Sequence, residues 1–367
     1  MNCSRIHAPC TSWIRAAAVL LFIAAVPACQ NSQKTSPPSD GGMPPPTSDT
    51  VLPPAAGSIA VGPSSDFIPL FNGQVLIGDT STSRVNLLNI VTGTVDAYYQ
   101  LSAAPGDLEL DSTRNYLYVA LVSATQLARI DLSSGQIVYI AVSAPVATLA
   151  LGNNGIVFAN LTAGYSGPIA VIDGLTATVV TTLPGTVAGF DRLMVYDRTN
   201  DVLITGSWAL SPASLTRYSY DSTAHTLTQV QYVFNAGDNG QQLVLSPDRQ
   251  HLGFPCGAGN GAPSYTIFDY DPSDVTVSYG AWNTGPYPRA IAWTPDSQRV
   301  IASNGTALQL FDVATHTSIT SYTLDFSACN YSEIVGTGVS KGGKIGYGFS
   351  NCGSPATSGR LYWVLLP

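Results

Sequence analysis

The sequence predicts an all-β fold, a seven-bladed β-propeller of four-stranded blades closed by an N-terminal strand in the last blade. Three observations carry this reading. The 367 residues include 34 Gly and 25 Pro but only three Lys and two Glu. That is poor material for helices and suits short strands joined by turns. An apolar strand ending near an acidic residue, then a small polar turn, recurs about every 44 residues, and seven such units account for the 310 residues from 58 to 367.

The first element is an address. Arg5 and Arg15 precede an uncharged apolar run from Ala16 to Ala28. Its thirteen residues would rise only about 20 Å as a helix, short of the roughly 30 Å hydrocarbon core. A basic flank, a short apolar core and small residues at its end read as a secretory leader over residues 1–28. The run closes with Val26-Pro27-Ala28-Cys29, which resembles the lipobox of bacterial lipoproteins, where the Cys is acylated and becomes the mature N-terminus. An ordinary cleaved leader, or an uncleaved anchor, would leave Cys29 incidental. Gln30 rather than Asp follows it; by analogy with the enteric sorting rule, the resemblance implies the outer membrane of a bacterial cell envelope. Residues 29–57 are rich in Pro, Ser and Thr and nearly free of large apolar side chains, so they read as an extended tether.

The third element, residues 58–367, is the propeller. Strands ending near an acidic residue appear as Val85-Asn-Leu-Leu-Asn-Ile-Val-Thr-Gly93 and Leu127-Ala-Arg-Ile-Asp-Leu-Ser-Ser-Gly135. Further copies centre on Asp173, Asp221, Asp269 and Asp312, and the last is Leu361 to Leu365. A turn and an alternating strand precede each, clearest in Ser246-Pro-Asp-Arg-Gln-His and Thr294-Pro-Asp-Ser-Gln-Arg. Pro and Asx residues there match tight hairpins. Four strands in about 44 residues make a blade. The seventh copy stops at its third strand, so the spare run Ser58-Ile-Ala-Val-Gly62 is expected to pair beside residues 361–365 and leave no open edge.

Tyr116-Leu-Tyr-Val-Ala120 followed by Ile130-Asp-Leu-Ser-Ser-Gly135 resembles the YVTN-type propeller repeat, a turn of Ser-Pro-Asp-Gly type, a Tyr-Val-rich strand and a strand ending in Ile-Asp. The resemblance spans residues 58–367, weakly in the first and last repeats. YVTN-like propellers are similar to lactonases of the 6-phosphogluconolactonase type, which work at the channel mouth, but that family's catalytic His and acidic residues find no clear match here.

Cys329 precedes the inner strand of the seventh blade and Cys352 follows its second strand, with the hairpin turn at Lys341-Gly342-Gly343 between them. Opposite ends of an antiparallel pair face each other, so a Cys329–Cys352 disulfide is expected, worth about 3 kcal/mol on the loop-entropy argument. Cys256 reads as a small buried residue. His225, His251 and His316 show no metal-ligand spacing, and no haem, phosphate-loop or nucleophile-elbow motif is present, so no cofactor and no metal are expected. Asp269-Tyr-Asp-Pro-Ser-Asp274 reads as a turn with Asx caps. The Gly-rich run Gly257 to Gly261 reads as a blade connection.

All 23 acidic residues and 13 of the 15 basic ones lie beyond residue 30, a formal charge of −10 that argues against nucleic-acid binding. Asp107-Leu-Glu-Leu-Asp111 alternates on an expected inner strand, placing three carboxylates on one face. Such neighbours repel unless a cation pairs with them. Ala292, Val244 and Gly338 hold the equivalent position in other blades, which makes Glu109 the outlier. Asp107, Glu109, Arg192, Gln242, Arg289 and Glu333 are expected to gather around the axis, as a polar-ligand site or as ion pairs that keep the blades in register. The resulting expectation is a monomeric, lipid-anchored binding scaffold for an unidentified protein or small polar ligand. A hydrolase working at the channel mouth is the alternative.

Overall fold

The computed structural model describes residues 48–161, 164–184, 190–256, 266–285, 288–329, 333–353 and 355–367. The leader, Cys29, the tether as far as residue 47, the Gly257–Gly261 connection and Asn330 lie outside them. Seven four-stranded antiparallel sheets follow one another around a ring. Blade 1 comprises Phe67–Pro69, Gln74–Asp79, Arg84–Asn89 and Thr94–Gln100. The inner strands of blades 2 to 6 are Pro105–Asp111, Thr148–Leu151, Leu193–Asp197, Val244–Leu245 and Ile291–Trp293. Between blades 3 and 4 a short ribbon pairs Ser166–Gly167 with Phe190–Asp191.

The recurring acidic positions fall at the ends of the third strands, and their chemistry explains the repeat. Asp131, Asp173, Asp221 and Asp312 accept the backbone N–H of Ser133, Leu175, Thr223 and Thr315 at 2.8–2.9 Å. Asn89 does the same for Val91. Each side chain thereby caps the turn into the outer strand. The Ser-Pro-Asp and Thr-Pro-Asp turns work likewise: Asp248 and Asp296 accept the N–H of Gln250 and Gln298, while the Ser246 and Thr294 hydroxyls accept those of His251 and Arg299.

The ring has no single core. Among the described residues, seven apolar clusters lie between neighbouring sheets, one at each junction, such as Tyr118, Leu127, Leu149, Val157 and Ile172 between blades 2 and 3. Cys256 is buried between blades 4 and 5, with a free thiol. The junction of blades 7 and 1 joins opposite ends of the chain: Phe67, Val75 and Ile77 pack on Tyr347, Phe349 and Trp363.

Blade 7 comprises Ile334–Val339, Ile345–Cys352, Ser358–Leu365 and, as its outer strand, Ala56–Val61. Ser58 lies opposite Tyr362 and Ile59 opposite Leu361. A Cβ on Gly57 would collide with the Trp363 indole, so glycine is required at this crossing. Cys329 and Cys352 are disulfide-bonded, with Cα atoms 5.0 Å apart.

The chain just before this strand is also fixed. The Asp49 carboxylate accepts the Asn72 N–H of blade 1 at 2.8 Å and hydrogen bonds from the Ser340 hydroxyl and the Lys344 N–H of blade 7. Asn72 returns the contact by accepting the Thr50 N–H at 2.7 Å, and the Trp363 indole donates to the Pro54 carbonyl. Residues 49–55, read from composition as part of the tether, therefore form a clasp over the seam.

Removing Ala56–Val61 exposes the edge of blade 7. A chain beginning at Phe67 should aggregate and melt several degrees below one beginning at Ala56, and a chain beginning at Ser48 should melt highest. Equal melting temperatures for the Phe67 and Ala56 chains in a calorimeter would rule out closure by this strand.

Candidate functional site

Inner strands carry the side chains that face the axis, and here they enclose a cavity of about 970 Å³. Every blade contributes to its wall, including Ala292, Val244 and Gly338 at the positions equivalent to Glu109. Of the six residues expected at the axis, Asp107, Glu109, Arg192, Gln242 and Arg289 line the cavity, and Glu333 reaches it through Arg289. Three residues not singled out from sequence complete the charged wall: Asp66, Arg198 and Arg249. Asp66 precedes the first inner strand and lies one repeat before Asp107, which is the signal that would have found it. Asp66, Asp107, Arg192, Gln242 and Arg289 stand near where the inner strands begin, the upper mouth. Arg198 and Arg249 stand where those strands end, the lower mouth.

Several of these groups are committed to holding blades together. Asp66 accepts the Leu108 N–H at 2.9 Å, Asp107 the Leu149 N–H at 2.6 Å, and Gln242 the Ile291 N–H at 3.0 Å. In each case a side-chain oxygen satisfies the inner strand of the next blade, which has no other strand on that side. Arg289 clasps three blades, donating to Gln241 Oε1 at 2.8 Å and to both Glu333 oxygens at 3.1 and 3.3 Å. Arg198 and Arg249 donate to the Leu151 and Tyr196 carbonyls of the preceding blades.

Asp111 does not line the cavity. It ends the inner strand opposite Tyr116, and its buried side chain is bonded to the Thr113 hydroxyl and paired with Arg114 at 2.7 Å. An Asp at a strand end is drawn into capping its turn. Asp66, from the neighbouring blade, is the third carboxyl group of the cavity instead.

Two cavity side chains make no hydrogen bond to any described residue: Glu109 and Arg192. The Arg192 guanidinium sits over the Trp208 ring, 4.0 Å from its centroid, with Tyr165 against Trp208 at 5.9 Å. Glu109 faces the cavity but is otherwise surrounded by protein. Burial, reinforced by the Asp66 charge, pushes its carboxyl up to about 8 against the pull of Arg198 and Arg249. Burial likewise lifts Asp66 to about 7. Asp107 is held well above the ordinary carboxylate range by burial and then by Asp66 and Glu109, with Arg192 opposing. With its carboxyl lifted to about 8, Glu109 can donate as well as accept near neutral pH.

The histidines lie elsewhere. His251 Nδ1 sits 2.9 Å and His316 Nε2 3.0 Å from the same oxygen of the fully buried Asp269. Trp293 packs against the His251 ring and Trp282 against that of His316. The pair joins blade 5 to blade 6. Sequence spacing did not show it, because Asp269 occupies a recurring cap position; in this blade Asp271 caps the turn by accepting the Ser273 N–H at 2.7 Å, which frees Asp269 for the histidines. His225 bonds the Tyr220 hydroxyl. Among the described residues no three His, Cys, Asp or Glu side chains are disposed to hold a metal ion.

No protein-family model matches the chain, and no curated protein matches it. Among solved structures it is similar to a chain of Kuenenia stuttgartiensis hydrazine synthase, with a TM-score of 0.61 and 13% identity over 84% of this chain and 96% of that one. At that identity the likeness is one of fold.

A carboxyl group whose folded pKa is raised keeps a proton that the unfolded chain releases, so stability falls as pH rises from about 4.5 towards 8. His251, raised chiefly by its bond to Asp269, adds a loss of the same sign as pH climbs through its folded value. Glu109→Gln removes the first contribution alone. It should raise the melting temperature by a few degrees near pH 8 and leave it unchanged near pH 4. A variant melting below the wild type at the higher pH would mean that Glu109 is a structural ion-pair partner.

Proposed function

We propose that this chain is a lipid-anchored, extracytoplasmic propeller of the YVTN type that binds a small polar ligand in its axial cavity. The observation that carries the binding reading is the division of labour among the polar groups. Asp66, Asp107, Gln242 and Arg289 are engaged in joining blades, whereas Glu109 and Arg192 face the cavity without a hydrogen-bond partner among the described residues. Both groups are part-exposed to the cavity with their hydrogen-bonding capacity unspent on the protein, so a ligand that enters can meet them. The cavity volume falls within the range of small-molecule sites. Binding is favoured over hydrolysis because the three propeller histidines lie off the cavity wall, two of them fixed on Asp269.

The anchor reading rests on Cys29 at the end of an apolar run and on the Pro-rich stretch that follows. The disulfide is compatible with an oxidising compartment. The clasp at Asp49 grips turns at the ends of the inner strands, so Ser48, where the described chain starts, lies on the side of the lower mouth, opposite the upper mouth with Arg192.

Two experiments test these readings. Small molecules retained by the native protein from a cell extract, and released on denaturation, should be identifiable by mass spectrometry. Ala292→Phe, which puts a ring into the cavity from blade 6, should sharply reduce recovery without loss of folding by circular dichroism. Equal recovery from both proteins, or none from the wild type, would refute binding at the axis. For the anchor, Cys29→Ser should leave the protein unacylated and free of the membrane fraction; unchanged fractionation would point to the apolar run as the anchor.

A further inference from the structure

We infer that the ligand of the axial cavity is a small hydroxylated organic acid, with its carboxylate on Arg192 at the upper mouth and a hydroxyl group on Glu109 deeper in the channel. This inference rests on the cavity-binding reading and specifies its chemistry.

The arginines of the cavity wall are not equivalent. Arg289 donates to Gln241 and Glu333, Arg198 to the Leu151 carbonyl and Arg249 to the Tyr196 carbonyl. The Arg192 side chain donates to no described residue, and its guanidinium is held over Trp208 at 4.0 Å. The contact with the ring holds the group in place and leaves its fork of coplanar N–H donors, the match for a carboxylate, without an acceptor among the described residues.

The charge of Arg192 is also left largely uncompensated. The carboxyl group that acts on it is Asp107. Asp107 already accepts the Leu149 N–H, and burial beside Asp66 and Glu109 disfavours its ionised form. Among the described arginines of the wall, Arg192 is the one whose side chain makes no hydrogen bond, which leaves its donors to a carboxylate.

Glu109 lies two residues beyond Asp107, the carboxyl group that acts on Arg192, and both Glu109 and Arg192 line the same cavity, so one small molecule is placed to meet them together. Both readings of the Glu109 carboxyl, as donor and as acceptor, serve a hydroxyl group.

Galacturonate and galactose differ at this level only in the carboxylate, so they are suitable probes, with glutarate as an acid lacking hydroxyl groups. By calorimetric titration near neutral pH, galacturonate should bind wild-type protein at least about tenfold more tightly than galactose, the worth of one charge-assisted contact. Arg192→Gln should erase that preference, and Arg192→Lys, which keeps the charge but loses the fork, should restore part of it. Glu109→Leu, which removes both donor and acceptor, should weaken galacturonate and leave glutarate unaffected. Equal binding of galactose and galacturonate, or a preference that survives Arg192→Gln, overturns the organic-acid assignment while the cavity reading stands. Absence of binding by all three probes, with a molecule still recovered from extract by the wild type and much less by Ala292→Phe, overturns the assignment in the same way. Absence of both removes the cavity reading with it.

Discussion

Every sheet in this protein has two apolar faces and can cover each of them only with another sheet. A linear stack would leave two faces bare, so the stack must bend round until its ends meet. That one requirement explains the arrangement of the chain termini. The seam between blades 7 and 1 joins residues from opposite ends of the propeller, and Phe67 against Tyr347 and Phe349 is the contact that makes the ring a ring. The outer strand donated by Ala56–Val61, the clasp at Asp49 and the Cys329–Cys352 disulfide are all found in or beside blade 7. The other six junctions join consecutive stretches of sequence and are tied instead by single side chains, such as Asp107 to the Leu149 N–H and His316 to Asp269.

Closure also decides what the polar groups at the axis do. Inner strands are short, and each has a free edge towards its neighbour. Three side-chain oxygens, from Asp66, Asp107 and Gln242, supply the missing acceptors across 42, 42 and 49 residues. The carboxyl groups thus come to the axis for a structural reason. Their crowding adds to burial in raising the proton affinity of Glu109. Structure and candidate function are linked here: the latches that hold the ring create the electrostatic setting in which two uncommitted groups, Glu109 and Arg192, face an enclosed space.

Much of the fold was legible because the repeat has a local chemical cause. An Asp or Asn at the end of a third strand caps the next turn using atoms only two or three residues away, so it leaves a mark in the sequence from blade to blade. The closing strand was legible by elimination, since one strand was spare and one blade was short. The site was legible in part. Residues bound for the axis could be placed by register, yet register says nothing about which groups are spent on neighbours. Arg289 and Arg192 look alike in sequence, and only the positions of Gln241, Glu333 and Trp208 separate them. Asp111 keeps the alternation, two residues beyond Glu109 and opposite Tyr116, but its side chain is spent on Thr113 and Arg114 and not on the cavity. Asp269 was read as one more cap because its distant partners, His251 and His316, come from another strand and another blade.

The clasp has a mechanical consequence. Whatever pulls on the chain ahead of residue 48 does not act first on the Ala56–Val61 strand. It acts on Asp49 and Thr50, which are tied to turns of blades 1 and 7 at once. Tension is therefore shared across the seam and tends to draw the two blades onto a common point, instead of peeling the outermost strand from its sheet one hydrogen bond at a time. A ring whose weakest joint is its seam is gripped at that joint, so that traction on the chain is resisted by both sides of the closure together.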